Sequence, residues 1–245
     1  MMATSKRSPG PRGLTSFLVR TVTAAVYAAI MLGVIFFGRT LGLGILMSVV
    51  AMFAVAELYA ITRREYRLPN EVLGILAVGA MPICAGLWGW FGLMSAVTVL
   101  VVGAVSWHVA FRQVRMTDTA ITVFGALYVG FLLSYFVLIR DLDGGTLLAL
   151  ATIASVWAND VFAYLVGSTV GRHKMAPRIS PNKSWEGFAA GTLGTVAIWM
   201  LAGLTIDIDL TNGWLLLVGV AISIASVLGD LFESRIKREV GVKDS

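Results

Sequence analysis

Residues Ser223 to Ser245 read SIASVLGDLFESRIKREVGVKDS, a stretch that begins as an apolar helix, takes up a carboxylate at Asp230 and continues as a polar one. At about 100° per residue, Asp230, Glu233, Ser234 and Lys237 fall within about a third of the helix circumference, while Leu231, Phe232, Ile236 and Val240 take other directions. A helix leaving a membrane would then present one stripe of oxygens and ammonium groups and be held by its apolar side chains. A juxtamembrane helix whose charges meet only water and lipid headgroups carries the same pattern. The rest of the chain has to decide between the two.

Composition makes the chain a membrane protein. Of 245 residues, 58% are hydrophobic and only 13% charged, with a mean hydropathy of +0.84; a soluble domain carries about 25% charge. Cys84 is the single cysteine, so no intrachain disulfide can form. A net charge of +5 points to anionic partners. The basic residues are scattered among short connections without a nucleic-acid motif, which favours phospholipid headgroups or nucleotide phosphates over nucleic acid. Residues 1–13, rich in Ser, Pro, Gly and Lys/Arg, read as a disordered basic tail. Residues 14–245 read as one transmembrane domain.

Apolar runs bounded by charge or by Gly and Pro predict an all-α polytopic bundle of about eight spans: 18–37, 41–61, 71–90, 92–110, 119–139, 146–170, 187–205 and 213–233. With that division, every Lys and Arg except Arg39 and Arg140 falls on the side of the N-terminus. The opposite connections hold Asp141, Asp143, Asp207 and Asp209 instead. The asymmetry places both termini in the cytoplasm, because basic connections stay on that side during insertion.

Two carboxylates interrupt apolar spans. Asp160, in ASVWANDVFAYLVGSTVG, lies about ten residues, or ~15 Å of helix, before the cytoplasmic end of its span. An ionisable group at such a depth is expensive and is a functional candidate by default. From it, the i+3, i+4, i+7 and i+11 positions are Ala163, Tyr164, Gly167 and Gly171, a mostly small face that lets another backbone approach. The second carboxylate, Asp230, has Glu233 and Ser234 within a turn, and these are hard oxygen donors of the kind Mg²⁺ takes together with water and substrate phosphates. Between the two lies the basic loop GRHKMAPRISPNKSWEG, residues 171–187. It sets Arg172, Lys174, Arg178 and Lys183 around an expected Ser180-Pro181 turn, directly before a helix start whose free N–H groups suit phosphate. His108 and His173 have no ligand-spaced partners and read as bystanders. No Walker loop, dinucleotide glycine fingerprint, HExxH or nucleophile elbow is present. A transporter using Asp160 and Asp230 as a proton or cation relay remains open at this point, as does a noncatalytic membrane scaffold.

Three segments resemble the phosphatidate cytidylyltransferases, or CDP-diacylglycerol synthases: the helix from Asp160 to Gly171, the SPNKSWEG loop from Ser180 to Gly187, and Ser234-x-x-Lys237-Arg238-x-x-x-x-Lys243-Asp244. The resemblance implies transfer of CMP from CTP to phosphatidate at the cytoplasmic face of an inner (plasma) membrane, with Mg²⁺, and with room for a second cation. It makes Asp230 a metal ligand and assigns phosphate contacts to Ser234, Lys237 and Arg238. Ser180, Lys183, Asp160, Lys243 and Asp244 would line the substrate pocket, and a homodimer is compatible with the family. In the family the signature continues past Lys-Asp through His-Gly-Gly and an Asp-Arg pair to a last membrane helix. The sequence ends at Ser245, so the expectation is a chain truncated within the signature and inactive, or nearly so, by itself.

Overall fold

The structure, a computed structural model, describes residues 11–63, 70–206 and 210–239. Its helices are α1 (Pro11–Phe37), α2 (Arg39–Arg63), α3 (Glu71–Ala110), α4 (Met116–Ala126), α5 (Leu132–Asp141), α6 (Gly145–Val170), α7 (Trp185–Thr205) and α8 (Asn212–Glu239). A π-helical turn, Leu127–Phe131, joins α4 to α5 without a break. Among the described residues, six stretches are long and apolar enough to cross a membrane: α2, α3, Met116–Asp141, α6, α7 and α8; the apolar part of α1, Thr21–Phe37, is shorter. The fold is therefore an all-α polytopic bundle, with one small β-hairpin set between α6 and α7.

Several boundaries differ from those expected. Residues 1–10 of the expected tail lie outside the described residues, and residues 11–13 are helical, within α1. Helix α8 runs on to Glu239, six residues beyond the expected end, which keeps Ser234, Lys237 and Arg238 on the same helix as Asp230. Inside α3 the backbone leaves helical geometry at Trp88 (φ −129°, ψ 15°) and Gly89 (φ 59°, ψ −140°), a left-handed position that glycine takes at no steric cost. The chain reverses there. A Cβ placed on Gly103 would lie 3.1 Å from Leu73, whereas thirty residues of straight helix span ~45 Å. Residues 71–87 and 90–110 are thus the two limbs of a helical hairpin, and the bend lies beside the expected division between the third and fourth runs.

Two packed groups follow. The larger buries Ile35, Leu43, Met47, Val55, Tyr59, Val78, Met81, Leu93, Leu100 and Val137 between α2, α3 and the α4–α5 rod. Tyr59 is fully buried and its hydroxyl donates to Thr122 O at 2.6 Å. The smaller group, α6, α7 and α8, is held less by large side chains than by glycines. Gly187 and Gly191 form a G-x-x-x-G pair on α7: a Cβ on Gly187 would meet Ala163 O at 2.7 Å, and one on Gly191 would meet Asn159 Oδ1 at 2.6 Å. Where lipid is as apolar as leucine, such backbone proximity supplies the packing energy. The face of α6 that meets α7 therefore runs through Asn159, Ala163 and Gly167. Asp160 is one residue, about 100°, around from it, and is left exposed.

Substituting Gly187 by Val tests this close approach. It forces backbone apart from backbone, so we expect a loss of about 1–3 kcal/mol, read as an apparent melting temperature in detergent lowered by several degrees. An unshifted melting curve would contradict the tight α6–α7 contact.

The two ends of the bundle are distinguished by their contacts. At one, Thr40 Oγ1 donates to Asp141 Oδ1 at 3.1 Å and Arg140 Nε donates to Ile35 O at 3.1 Å. At the other lie Tyr59 with Thr122, Phe124 with Phe232, and the hairpin between α6 and α7.

Candidate active site

The basic loop is more ordered than its sequence suggests. Residues Lys174–Ala176 (β1) and Ser180–Ser184 (β2) pair antiparallel, Lys174 opposite Ser184 and Ala176 opposite Ser180. The Ser180-Pro181 turn is corrected accordingly: both residues lie in β2, and the turn is residues 177–179. Proline is compatible with a strand at an edge, where no ladder N–H is needed. The irregular register sets the three residues of β1 against the five of β2, the kind of bulge that re-aims a side chain. Ser184 ends the strand and caps α7: it is buried, and its Oγ accepts from Gly187 N–H at 3.2 Å.

His173 is not a bystander. Its Nδ1 lies 2.6 Å from Glu186 Oε1 and its backbone N–H also reaches that carboxylate, while Trp185 N–H donates to His173 O. Together these bonds close the hairpin onto the first turn of α7. His108 lies elsewhere, its Nδ1 3.0 Å from Thr119 Oγ1.

The hairpin carries Lys183 to α8. Its Nζ donates to Asp230 Oδ2 at 2.6 Å, joining residues 47 positions apart, with the Lys183 side chain 25% and the Asp230 side chain 55% exposed. Asp160 lies within electrostatic range of both. One element each from α6, β2 and α8 thus contributes a charge to one place. An ion pair so open to solvent adds at most about 1 kcal/mol to stability. Its value lies in what it can do for a ligand: it holds an ammonium and a carboxylate at the ready, each neutralised by the other until an anion and a cation separate them.

Further along α8, Lys237 Nζ lies 2.7 Å from Glu233 Oε1. Ser234, half-buried, is one turn beyond Asp230, and Arg238 is exposed near the helix end. Ser180 lies three residues before Lys183 on β2. Lys243 and Asp244 fall outside the described residues. Among the described residues, no three His, Cys, Asp or Glu side chains converge as a metal cage. Asp160 and Asp230 do offer two hard oxygen donors, one of them half-exposed. That fits Mg²⁺ held jointly with substrate phosphates and water, its usual mode, rather than a cage built by protein alone.

Two groups of residues were not found by reading the sequence. On the α4 side, Tyr128 sits in the π-helical turn, its ring 5.0 Å from Phe232 and 5.7 Å from Phe124, within electrostatic range of Asp230 and Glu233. A π-turn often marks a functional site, but it has no sequence signature. Behind the charges, buried Asn159 and Ser223 and half-buried Thr192 and Ser226 form a polar network across α6, α7 and α8. Its signal was available: Ser223, Ser226 and Asp230 repeat at i, i+3 and i+7 along one helix face.

The family model described as the cytidylyltransferase family matches residues 18–245. This chain belongs to the cytidylyltransferase family. Similar proteins include a phosphatidate cytidylyltransferase of Staphylococcus epidermidis, 30% identical over 230 residues, or 93% of this chain and 87% of that one. The phosphatidate cytidylyltransferase of Staphylococcus haemolyticus is 32% identical over the same shares. That of Bacillus subtilis is 39% identical over 122 residues, 49% of this chain and 45% of the relative. The family match spans Asp160, Lys183 and Asp230 alike, so all three charged positions lie inside the cytidylyltransferase region.

Proposed function

We propose that this chain transfers the CMP group of CTP to phosphatidate, giving CDP-diacylglycerol and pyrophosphate. The observation that carries the reading is the Lys183–Asp230 pair beside Asp160, a set of charges suited to phosphates, in a chain that belongs to the cytidylyltransferase family. An oxygen of the phosphatidate phosphate attacks the α-phosphorus of CTP; the bond from that phosphorus to the oxygen bridging to the β-phosphate breaks, and its electron pair leaves with pyrophosphate. No covalent enzyme intermediate is required, so the chain's task is alignment and charge neutralisation.

In this reading Lys183 exchanges Asp230 for a CTP phosphate, which would leave Asp230, with Asp160, to hold Mg²⁺. The bound cation would neutralise charge developing on the phosphoryl oxygens and leaving group. Ser234, Lys237 and Arg238 extend the phosphate surface along α8, with Ser180 at the hairpin side. In this reading the basic connections and the site lie on the cytoplasmic side of the inner membrane, the side on which basic connections are retained during insertion. There CTP arrives from water and phosphatidate from the bilayer.

The test is direct. Purified full-length protein in detergent, given CTP, phosphatidate and Mg²⁺, should release pyrophosphate and CDP-diacylglycerol in equal amounts. EDTA should stop both, and added Mg²⁺ should restore them. Absence of product would overturn the reading, and turnover unaffected by EDTA would remove the cation from it.

A further inference from the structure

The network behind the charges has a direction. Asn159 is 2% exposed and Ser223 fully buried. Asn159 Nδ2 lies 3.2 Å from Ser226 Oγ and, at the outer limit of bonding, 3.5 Å from Asp160 Oδ1. A carboxylate accepts and does not donate, so the amide turns its NH₂ toward Asp160 and Ser226 and its Oδ1 toward Ser223. Ser223 Oγ must then donate to Asn159 Oδ1, at 2.8 Å. With its one proton so used, Ser223 can only accept from Thr192 Oγ1, also at 2.8 Å, whose own proton is shared between Ser223 Oγ and Phe188 O at 2.9 Å. The order Thr192 to Ser223 to Asn159 to Asp160 crosses α7, α8 and α6 in turn.

Each of those helices also places one charge of the site. Asp160 is the neighbour of Asn159 on α6. Asp230 lies seven residues, two turns, beyond Ser223 on α8, and Lys183 stands two residues ahead of α7, nine before Thr192. Glycine packing makes the arrangement tight, since Gly191 leaves no room for a Cβ against Asn159 Oδ1. We infer that Asn159, with Ser223 and Thr192, is a positioning device that sets the spacing of Asp160, Lys183 and Asp230. The glycine seam between α6 and α7 allows close approach but does not by itself choose a rotation of α8; hydrogen bonds with fixed partners do.

The catalytic consequence rests on the transferase reading, whereas the positioning itself can be measured without turnover. Thr192→Val keeps the side-chain shape and removes the hydroxyl, and Thr192→Ser keeps the hydroxyl. Asn159→Leu removes all three amide bonds. We expect kcat at saturating CTP and phosphatidate to fall about 10- to 10²-fold in Thr192→Val and Asn159→Leu, as misplacement by an ångström does, with Thr192→Ser near the unsubstituted rate. Pulsed EPR between spin labels at exposed Thr169 on α6 and Arg235 on α8, in a Cys84→Ala background, should give one narrow distance distribution that broadens or shifts in Asn159→Leu and Thr192→Val. A distribution unchanged in both variants overturns the inference whatever the rates do, and so does a Thr192→Ser protein as impaired as Thr192→Val. An unsubstituted protein without turnover would overturn the transferase reading alone, leaving the EPR distances to decide the positioning.

Discussion

Replacing Asp230 by Asn is expected to lower kcat by about 10³-fold, at or beyond the upper end of what single charge-stabilising groups contribute at reacting centres. The substitution preserves volume, so helix packing should survive, and with the Asp230 side chain 55% exposed no buried cavity or orphaned group results. What is lost is the negative charge. In the unliganded protein Lys183 is then without its carboxylate partner and meets an incoming phosphate with no pair to break. The Michaelis constant for CTP should therefore stay level or fall while kcat collapses, the signature of an interaction used in the transition state rather than in binding. Steady-state rates of CDP-diacylglycerol formation across CTP and Mg²⁺ concentrations make the measurement. An Asp230→Asn protein with unimpaired kcat would sink both the metal assignment and the carboxylate's place in the reaction.

Lys183→Met is the second large effect and has the opposite signature. Methionine retains the apolar stem and removes the ammonium that lies 2.6 Å from Asp230. Because a lysine neutralises phosphate as a point charge from the ground state onward, its loss should raise the CTP Michaelis constant, lowering kcat/KM by about 10²-fold. Lys183→Arg should recover part of this, since its charge is kept but its planar fork reaches differently. The double variant Asp230→Asn with Lys183→Met should lose at least the two single losses combined, since the pair separates on binding and each group then meets a different part of the substrate. A double variant little worse than Asp230→Asn alone would mean that the two groups act as one unit and that the pair does not separate in turnover.

Much of the candidate site was legible because charge is rare in this chain. Asp160 and Asp230 stand out in apolar surroundings, and a membrane makes an unused carboxylate costly. Lys183 was legible for a different reason, its place before a helix start. That Lys183 meets Asp230 was not, since nothing local links positions 47 apart. The hairpin escaped notice too, because SPNKS contains neither alternation nor β-branched residues and is a strand only through pairing with Lys174–Ala176. Of the small face of α6 counted from Asp160, Ala163, Gly167 and Gly171 do meet the start of α7, but the residue that completes it inward is Asn159 rather than Asp160. Helical periodicity gives the relative angle between side chains, and only the glycines of α7 decide which angle is inward.

Bilayer-length apolar runs and the near absence of Lys and Arg from alternate connections determined, from sequence alone, a polytopic helical bundle. The physical reason is that each membrane helix satisfies its own backbone, so its length and hydropathy suffice to specify it. The polar stripe of Ser223 to Ser245 was legible in the same local way, as a property of one helix. Only the tertiary structure decided what the stripe faces: Lys183 delivered by a bulged strand, Asp160 left exposed at the edge of a glycine seam, and a hydroxyl–amide network that fixes their common position. Those relations depend on packing between elements distant in sequence, where backbone proximity and the direction of individual hydrogen bonds select one arrangement among several that the helices themselves would allow.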